Sequence, residues 1–106
     1  MIKRLTIWQV KSGLPAEEAL QHWQGAHIPL VLALPGLRRY VQNRCVSTPE
    51  GVQPPFAGLG EVWFDDLEAA QAAMQSPEWS QVLDDALTFM DMDRIEVAWA
   101  EEQTAS

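Results

Sequence analysis

The order of apolar and polar positions divides the chain into strand-like and helix-like stretches. Residues 2–10, Ile-Lys-Arg-Leu-Thr-Ile-Trp-Gln-Val, are rich in β-branched and aromatic types and predict a first strand. Lys11-Ser12-Gly13 ends it. Pro15, Glu17 and Glu18 then suit the first turn of a helix, where a missing N–H costs nothing and acids meet the positive end of the dipole. Leu20, Trp23 and His27 recur at helical spacing on one face, with Gln21 and Gln24 on the other. Gly25 and Pro29 weaken the end of this helix, and a short turn through 30–34 leads to Pro35-Gly36. Residues 37–46 predict a second strand, with Arg38, Tyr40 and Gln42 on one face and Arg39, Val41 and Asn43 on the other. The three prolines and one glycine of 47–55 make a loop, and 60–64 a third strand. Asp65 with Glu68 three residues on is a capping box for a helix from Leu67. Ser76-Pro77 starts a further helix. Its apolar stripe is Trp79, Val82, Leu83, Ala86, Leu87 and Met90, with Ser80, Gln81, Asp84 and Asp85 outward. Residues 94–99 predict a fourth strand, followed by a polar tail.

The order is β-α-β-β-α-β, the ferredoxin-like arrangement, an α+β fold with both helical segments on one face of a four-stranded antiparallel sheet. A bare sheet face should alternate toward polar residues. Here Thr6, Trp8 and Val10 oppose Leu5 and Ile7, and Trp63 opposes Val62 and Phe64, so both faces need cover. A second copy of the sheet supplies it, giving a homodimer that meets through its sheet faces as a dimeric α+β barrel. One domain over 1–100 with a polar tail over 101–106 is expected from a length of 106 residues.

Composition narrows the partners. Seven basic against fifteen acidic side chains give a net charge of −8, which repels the phosphates of nucleic acid and an anionic membrane surface. No apolar run approaches the roughly 18 residues that span a bilayer. Met1-Ile2-Lys3-Arg4 is basic, but the residues after it alternate and include Gln9 and Lys11, unlike a signal peptide. A lone cysteine, Cys45, has no internal disulfide partner and suits a reducing cytoplasm.

No phosphate-binding glycine loop or nucleophile elbow is present. Cys45, His22 and His27 lack familiar metal-ligand spacing, and on a continuous helix the two histidines would sit about 140° apart. Neither metal nor cofactor is therefore expected. His22 reads as solvated surface. His27, sharing a helical face with Trp23 and Leu20, suits either a general base or a structural bond to a backbone carbonyl where the helix breaks before Pro29. Tyr40 and Glu61 are its polar companions. Each also has a plainer reading, Tyr40 as packing with its hydroxyl at the rim and Glu61 as an ion pair with Arg38, Arg39 or Arg44. Trp8, Trp63 and Trp99 suit core and dimer interface, and the same indoles could wall a ligand.

Several blocks resemble the ethyl tert-butyl ether degradation (EthD) family. They are Trp23-x-x-x-His27-Ile28-Pro29-Leu30, the run Leu34 to Asn43, Glu61-x-Trp63-Phe64-Asp65, Ser76-Pro77-Glu78 and Phe89-x-Asp91. The blocks cover nearly the whole chain to about residue 93. Pro15, Leu20 and Ala57-Gly58 depart from the family's usual residues, and none of these touches the Trp23–Leu30 block. The resemblance implies a dimeric α+β barrel. It also implies either an accessory role beside a haem monooxygenase or, as in a methylmuconolactone isomerase and fungal polyketide dehydratases and decarboxylases, acid–base chemistry at the histidine that His27 matches. In the isomerase a tyrosine lies thirteen residues beyond that histidine, as Tyr40 does here.

The sequence thus predicts a cofactor-independent isomerase, dehydratase or decarboxylase acting on a small apolar cyclic or aromatic carbonyl compound. His27 would move the proton and Tyr40 would bind the carbonyl oxygen. Trp8, Trp23, Glu61 and Trp63 would line the substrate. The alternatives are a non-catalytic binding protein for a partner oxygenase, or a dimeric-barrel monooxygenase.

Overall fold

β-Branched and aromatic side chains in alternation place Ile2–Trp8 (β1) at the centre of a four-stranded sheet. The computed structural model describes residues 1–106. In chain order the remaining elements are α1 (Ala16–Gln24), α2 (His27–Leu32), β2 (Arg39–Arg44), β3 (Gly58–Phe64), α3 (Leu67–Met74), α4 (Pro77–Ala86) and β4 (Glu96–Glu101). The strands lie in the order β2-β3-β1-β4, and every neighbouring pair is antiparallel. This is the predicted ferredoxin-like arrangement, with each of its two helical segments divided in two.

Register decides which side chains meet the helices. Thr6 pairs with Gly60 and Val97, Arg4 with Val62 and Trp99, and Tyr40 with Val62. Alternation then puts Arg4, Thr6, Trp8, Tyr40, Gln42, Gly58, Gly60 and Val62 on the helix-facing side. Leu5, Ile7, Val41, Leu59, Glu61 and Trp63 take the other side. Two apolar clusters fill the space beneath the helices. One joins Trp8, Ala19, Leu20, Trp23, Ala86, Phe89 and Met90, and the other joins Val31, Leu34, Val62, Phe64, Ala70, Ala73 and Val82.

Several boundaries differ from the sequence reading, each for a local reason. The first helix stops at Gln24 instead of running through His27. Gly25 breaks it, and a Cβ there would lie 3.0 Å from the Gln21 carbonyl. Pro29 therefore falls in the first turn of α2, where its missing N–H has no partner to lose. Asp66, not Asp65, caps α3, its carboxylate accepting from the Ala69 N–H at 2.8 Å. Asp65 is held instead by a two-bond fork from Arg38 at 2.9 and 3.0 Å. Ser76 caps α4 with Pro77 as its first residue, as predicted. The β2–β3 connection carries a turn at Thr48–Gly51, where Gly51 takes φ of 84°. β4 runs to Glu101, and residues 102–106 are exposed without regular structure.

Candidate active site

The break between α1 and α2 determines where the two histidines point. On one continuous helix they would diverge, but the Gly25–Ala26 interruption restarts the helix with His27 as its first residue. Both imidazoles then reach the same carboxylate. His22 Nε2 lies 2.8 Å from one oxygen of Asp85 and His27 Nδ1 lies 2.8 Å from the other. The expectation that His22 and Asp85 are solvated surface is corrected accordingly. Asp85 stands on α4, which packs across α2, and the two imidazoles draw it partly under cover.

Protonation follows from this geometry. Burial alone would push the Asp85 carboxyl up, but hydrogen bonds from His27 and His22 outweigh it and hold the group below the usual carboxylate range. An ionised carboxylate only accepts, so both facing imidazole nitrogens donate to it. His27 thus carries its proton on Nδ1, and its Nε2 keeps a lone pair and makes no hydrogen bond within the protein. The His27 side chain is almost wholly buried at 3% exposure. That burial, helped by the charge of His22 and opposed by Asp85, lowers its pKa and favours the neutral ring. Phe89 fixes the ring from the side, with centroids 5.2 Å apart and planes at 78°. The same phenyl ring touches His22 and Trp8.

His27 forms part of the wall of a cavity of about 110 Å³ between the sheet and the helices, together with Trp8, Trp23, Val31, Tyr40, Gly60 and Arg4. Its scale matches an apolar cavity that admits one benzene-sized ring, about 150 Å³. Thirteen of its seventeen lining residues are hydrophobic. Gly60 forms the floor, where a side chain would fill the space beside Trp23 and Tyr40. Tyr40 presents its phenol from β2. The Gln42 side-chain amide donates to the Tyr40 oxygen at 2.7 Å and to the Trp23 carbonyl at 2.7 Å. With its oxygen already accepting, the phenol retains its own proton for a ligand. Burial pushes the Tyr40 hydroxyl up to about 12, offset only in part by donors on Gln42 and Trp23, so it remains a neutral donor.

Four of the six sequence-predicted residues therefore meet in one cavity: His27, Tyr40, Trp23 and Trp8. Glu61 and Trp63 do not. They flank Val62, the β3 residue that faces the cavity, and so point away through the opposite face of the sheet. Glu61 accepts from Lys3 Nζ at 3.0 Å and from Asn43 at 2.9 Å. Burial would raise its carboxyl, and these two donors more than offset that. This is the ion-pair reading of Glu61, with Lys3 in place of the arginines considered. Trp63 is covered by the Lys3 and Arg39 side chains, at 5.1 and 4.8 Å from its ring centre. Sequence reasoning overlooked Asp85, Gln42 and Arg4. Arg4 and Gln42 had a legible signal, each a polar residue alternating onto a cavity-side strand face, Arg4 with Thr6 and Trp8 and Gln42 with Tyr40.

A family model described as the EthD domain matches residues 11–93. An uncharacterized 11.0 kDa protein from the thcB–thcC intergenic region of Rhodococcus erythropolis is 30% identical over 77 residues, covering 71% of this chain and 74% of that protein. The crystal structure of an EthD family protein from Bacillus halodurans C-125 superposes with a TM-score of 0.83 at 27% identity, over 97% of this chain and 99% of that one. A dimeric ferredoxin-like protein of unknown function from Thermobifida fusca matches with a TM-score of 0.73 at 12% identity, over 93% and 88% of the two chains. At that identity the likeness is one of fold.

Proposed function

The chain belongs to the EthD family, and from that premise we propose that it is a cofactor-independent acid–base enzyme acting on a small, largely apolar cyclic or aromatic carbonyl compound. The observation that carries this reading is the neutral, Asp85-oriented His27, whose free Nε2 shares an apolar cavity with the protonated phenol of Tyr40. His27 Nε2 removes a proton from the carbon next to the carbonyl. Tyr40 donates a hydrogen bond to the developing enolate oxygen, and the low polarity around it strengthens that bond. Returning the proton to a different carbon is isomerisation, and loss of a β-hydroxyl from the same enolate is dehydration. Trp8 and Trp23 form the wall, in the place given to Trp63 by the sequence.

The test does not require the natural substrate. In D2O, a panel of cyclic ketones, lactones and phenolic ketones is followed by NMR for protein-dependent exchange of the α-hydrogen. A His27→Ala variant is expected to lose about 10²–10⁴-fold in exchange rate, the usual contribution of a general base. Undiminished exchange rejects the assignment, and binding without exchange in the parent protein supports the accessory, non-catalytic role instead.

We further propose that two copies pair through the helix-free side of the sheet. Leu5, Ile7, Val41 and Leu59 remain partly exposed there, and the Thermobifida fusca relative is a dimer. No helix is long and apolar enough to cross a membrane. The single free Cys45 is in keeping with a reducing, cytoplasmic setting.

A further inference from the structure

The cationic groups of this chain are treated very unequally. Lys3 has Glu61, Arg38 has Asp65 and Arg44 has Glu17. Lys11, Arg39 and Arg94 are exposed to water. Arg4 has neither. Its side chain rises from the helix-facing side of β1 into the cavity wall and is partly enclosed. No carboxylate lies within 4.0 Å, although the chain has fifteen acidic residues. Its one side-chain hydrogen bond runs from Nη1 to the Thr6 hydroxyl at 2.8 Å. The rest of the guanidinium lies against indoles, 4.9 Å from the ring centre of Trp79 and 6.0 Å from that of Trp99.

Removing a cation from water without a counter-charge is unfavourable, and burial here lowers the Arg4 pKa with nothing to raise it. The indoles and Thr6 hold the guanidinium plane and leave most of its five N–H donors unmatched by the protein. Planar donors in a fixed fork suit a carboxylate. The register also sets its distance from the acid–base groups. Val62 pairs with Arg4 on one side and Tyr40 on the other, so those two backbones are about 10 Å apart, two strand spacings across one sheet face. A molecule of one ring can reach from one to the other.

We propose that Arg4 anchors a carboxylate on the ligand, so that the substrate is an anionic cyclic or aromatic compound bearing its carboxylate on the Arg4 side and its reacting carbonyl on the His27–Tyr40 side. The assignment rests on the cavity proposed above as the active site, and it adds the charge class of the substrate. The bound carboxylate also explains why the site tolerates an uncompensated cation in a chain of net charge −8. It completes the ion pair only when the ligand is present.

The experiment compares benzoate with benzamide, probes of nearly equal shape that differ in charge, by calorimetry and by quenching of tryptophan fluorescence. The parent protein is expected to bind benzoate about tenfold or more tightly than benzamide, a preference that shrinks as salt rises. Arg4→Met, which keeps the apolar stem, is expected to weaken benzoate far more than benzamide and so abolish the preference, and Arg4→Lys to restore part of it. Equal binding of the two probes to the parent protein overturns the proposal, as does no benzoate binding, and neither result depends on a variant that must fold. A preference retained in Arg4→Met overturns it too. The catalytic reading fails separately: a benzoate preference without α-hydrogen exchange on any carboxylate-bearing ketone retains the anchor and rejects the enzyme.

Discussion

His27 is readable in the sequence as chemistry, because a histidine one turn beyond Trp23 on an apolar face has few solvated options. Its partner is not readable, because Asp85 lies 58 residues away and looks like the wet side of α4 until α2 is packed against it. Burial, only partly offset by that partner, determines how the ring titrates. The unfolded chain takes up a proton on this imidazole near the ordinary value of 6.5, and the folded chain does so only at lower pH. In that window the unfolded state binds more protons, so stability falls as pH drops below about 6.5 and the His27 contribution is fully present above it. Asp85 acts the same way lower down, its contribution present above 3.8 and lost as pH falls further. An NMR titration of the His27 ring is expected to show its midpoint below 6.5, with the acid limb of exchange activity at the same pH. Asp85→Asn keeps an acceptor for Nδ1–H but removes the charge that raises the His27 pKa. The variant is expected to titrate lower still, move the acid limb with it, and lose about tenfold in rate because the base is weaker. An unmoved midpoint would show that Asp85 does not govern the ring.

At the level of elements, strand and helix identity followed from periodicity, and the departures arose where backbone geometry overrules it. Helical spacing cannot report that Gly25 interrupts the register, nor which of two adjacent aspartates caps α3. The caps make a paired prediction. Asp66→Ala is expected to cost about 1 kcal/mol in thermal or urea unfolding through loss of the Ala69 N–H bond. Asp65→Ala, which removes only an exposed ion pair, leaves the helix end intact. The glycines of β3 make a second. A Cβ on Gly58 would lie 2.7 Å from both Trp23 and Trp8, two fully buried indoles with no room to move. Gly58→Ala should therefore destabilise by about 1–3 kcal/mol, as overpacking does. At Gly60 the nearest atoms would be 3.8 Å away, ordinary contact. Gly60→Ala is expected to hold the melting temperature while narrowing the cavity floor and weakening ligand binding. The reverse ranking would show that the indole cluster, not the cavity, lies over Gly60.

For the whole molecule, the sequence showed that both sheet faces are apolar but offered no means of telling which one the helices cover. Register settles it, because the side chains of Arg4, Thr6 and Trp8 share a face with Tyr40 and Val62 beneath α2 and α4. Leu5 and Ile7 are left on the bare face, beside Val41 and Leu59. A single copy covers part of that face with its own chain, as Lys3 and Arg39 lie over Trp63. The four aliphatic side chains are only partly covered, and pairing two copies would remove the remainder from water with a gain of about 25 cal/mol per Å² buried. The parent protein is thus expected to run at twice the 11.9 kDa chain mass in light scattering. Ile7→Asp, which puts a charge at the centre of the face, should shift it to the single-chain mass. A variant that merely unfolded would be mistaken for a monomer, so the parent supplies an independent readout. Its melting temperature should rise with protein concentration, because association stabilises only the folded state. A parent mass of 11.9 kDa together with a concentration-independent melting temperature would show that the bare face stands in water as it is.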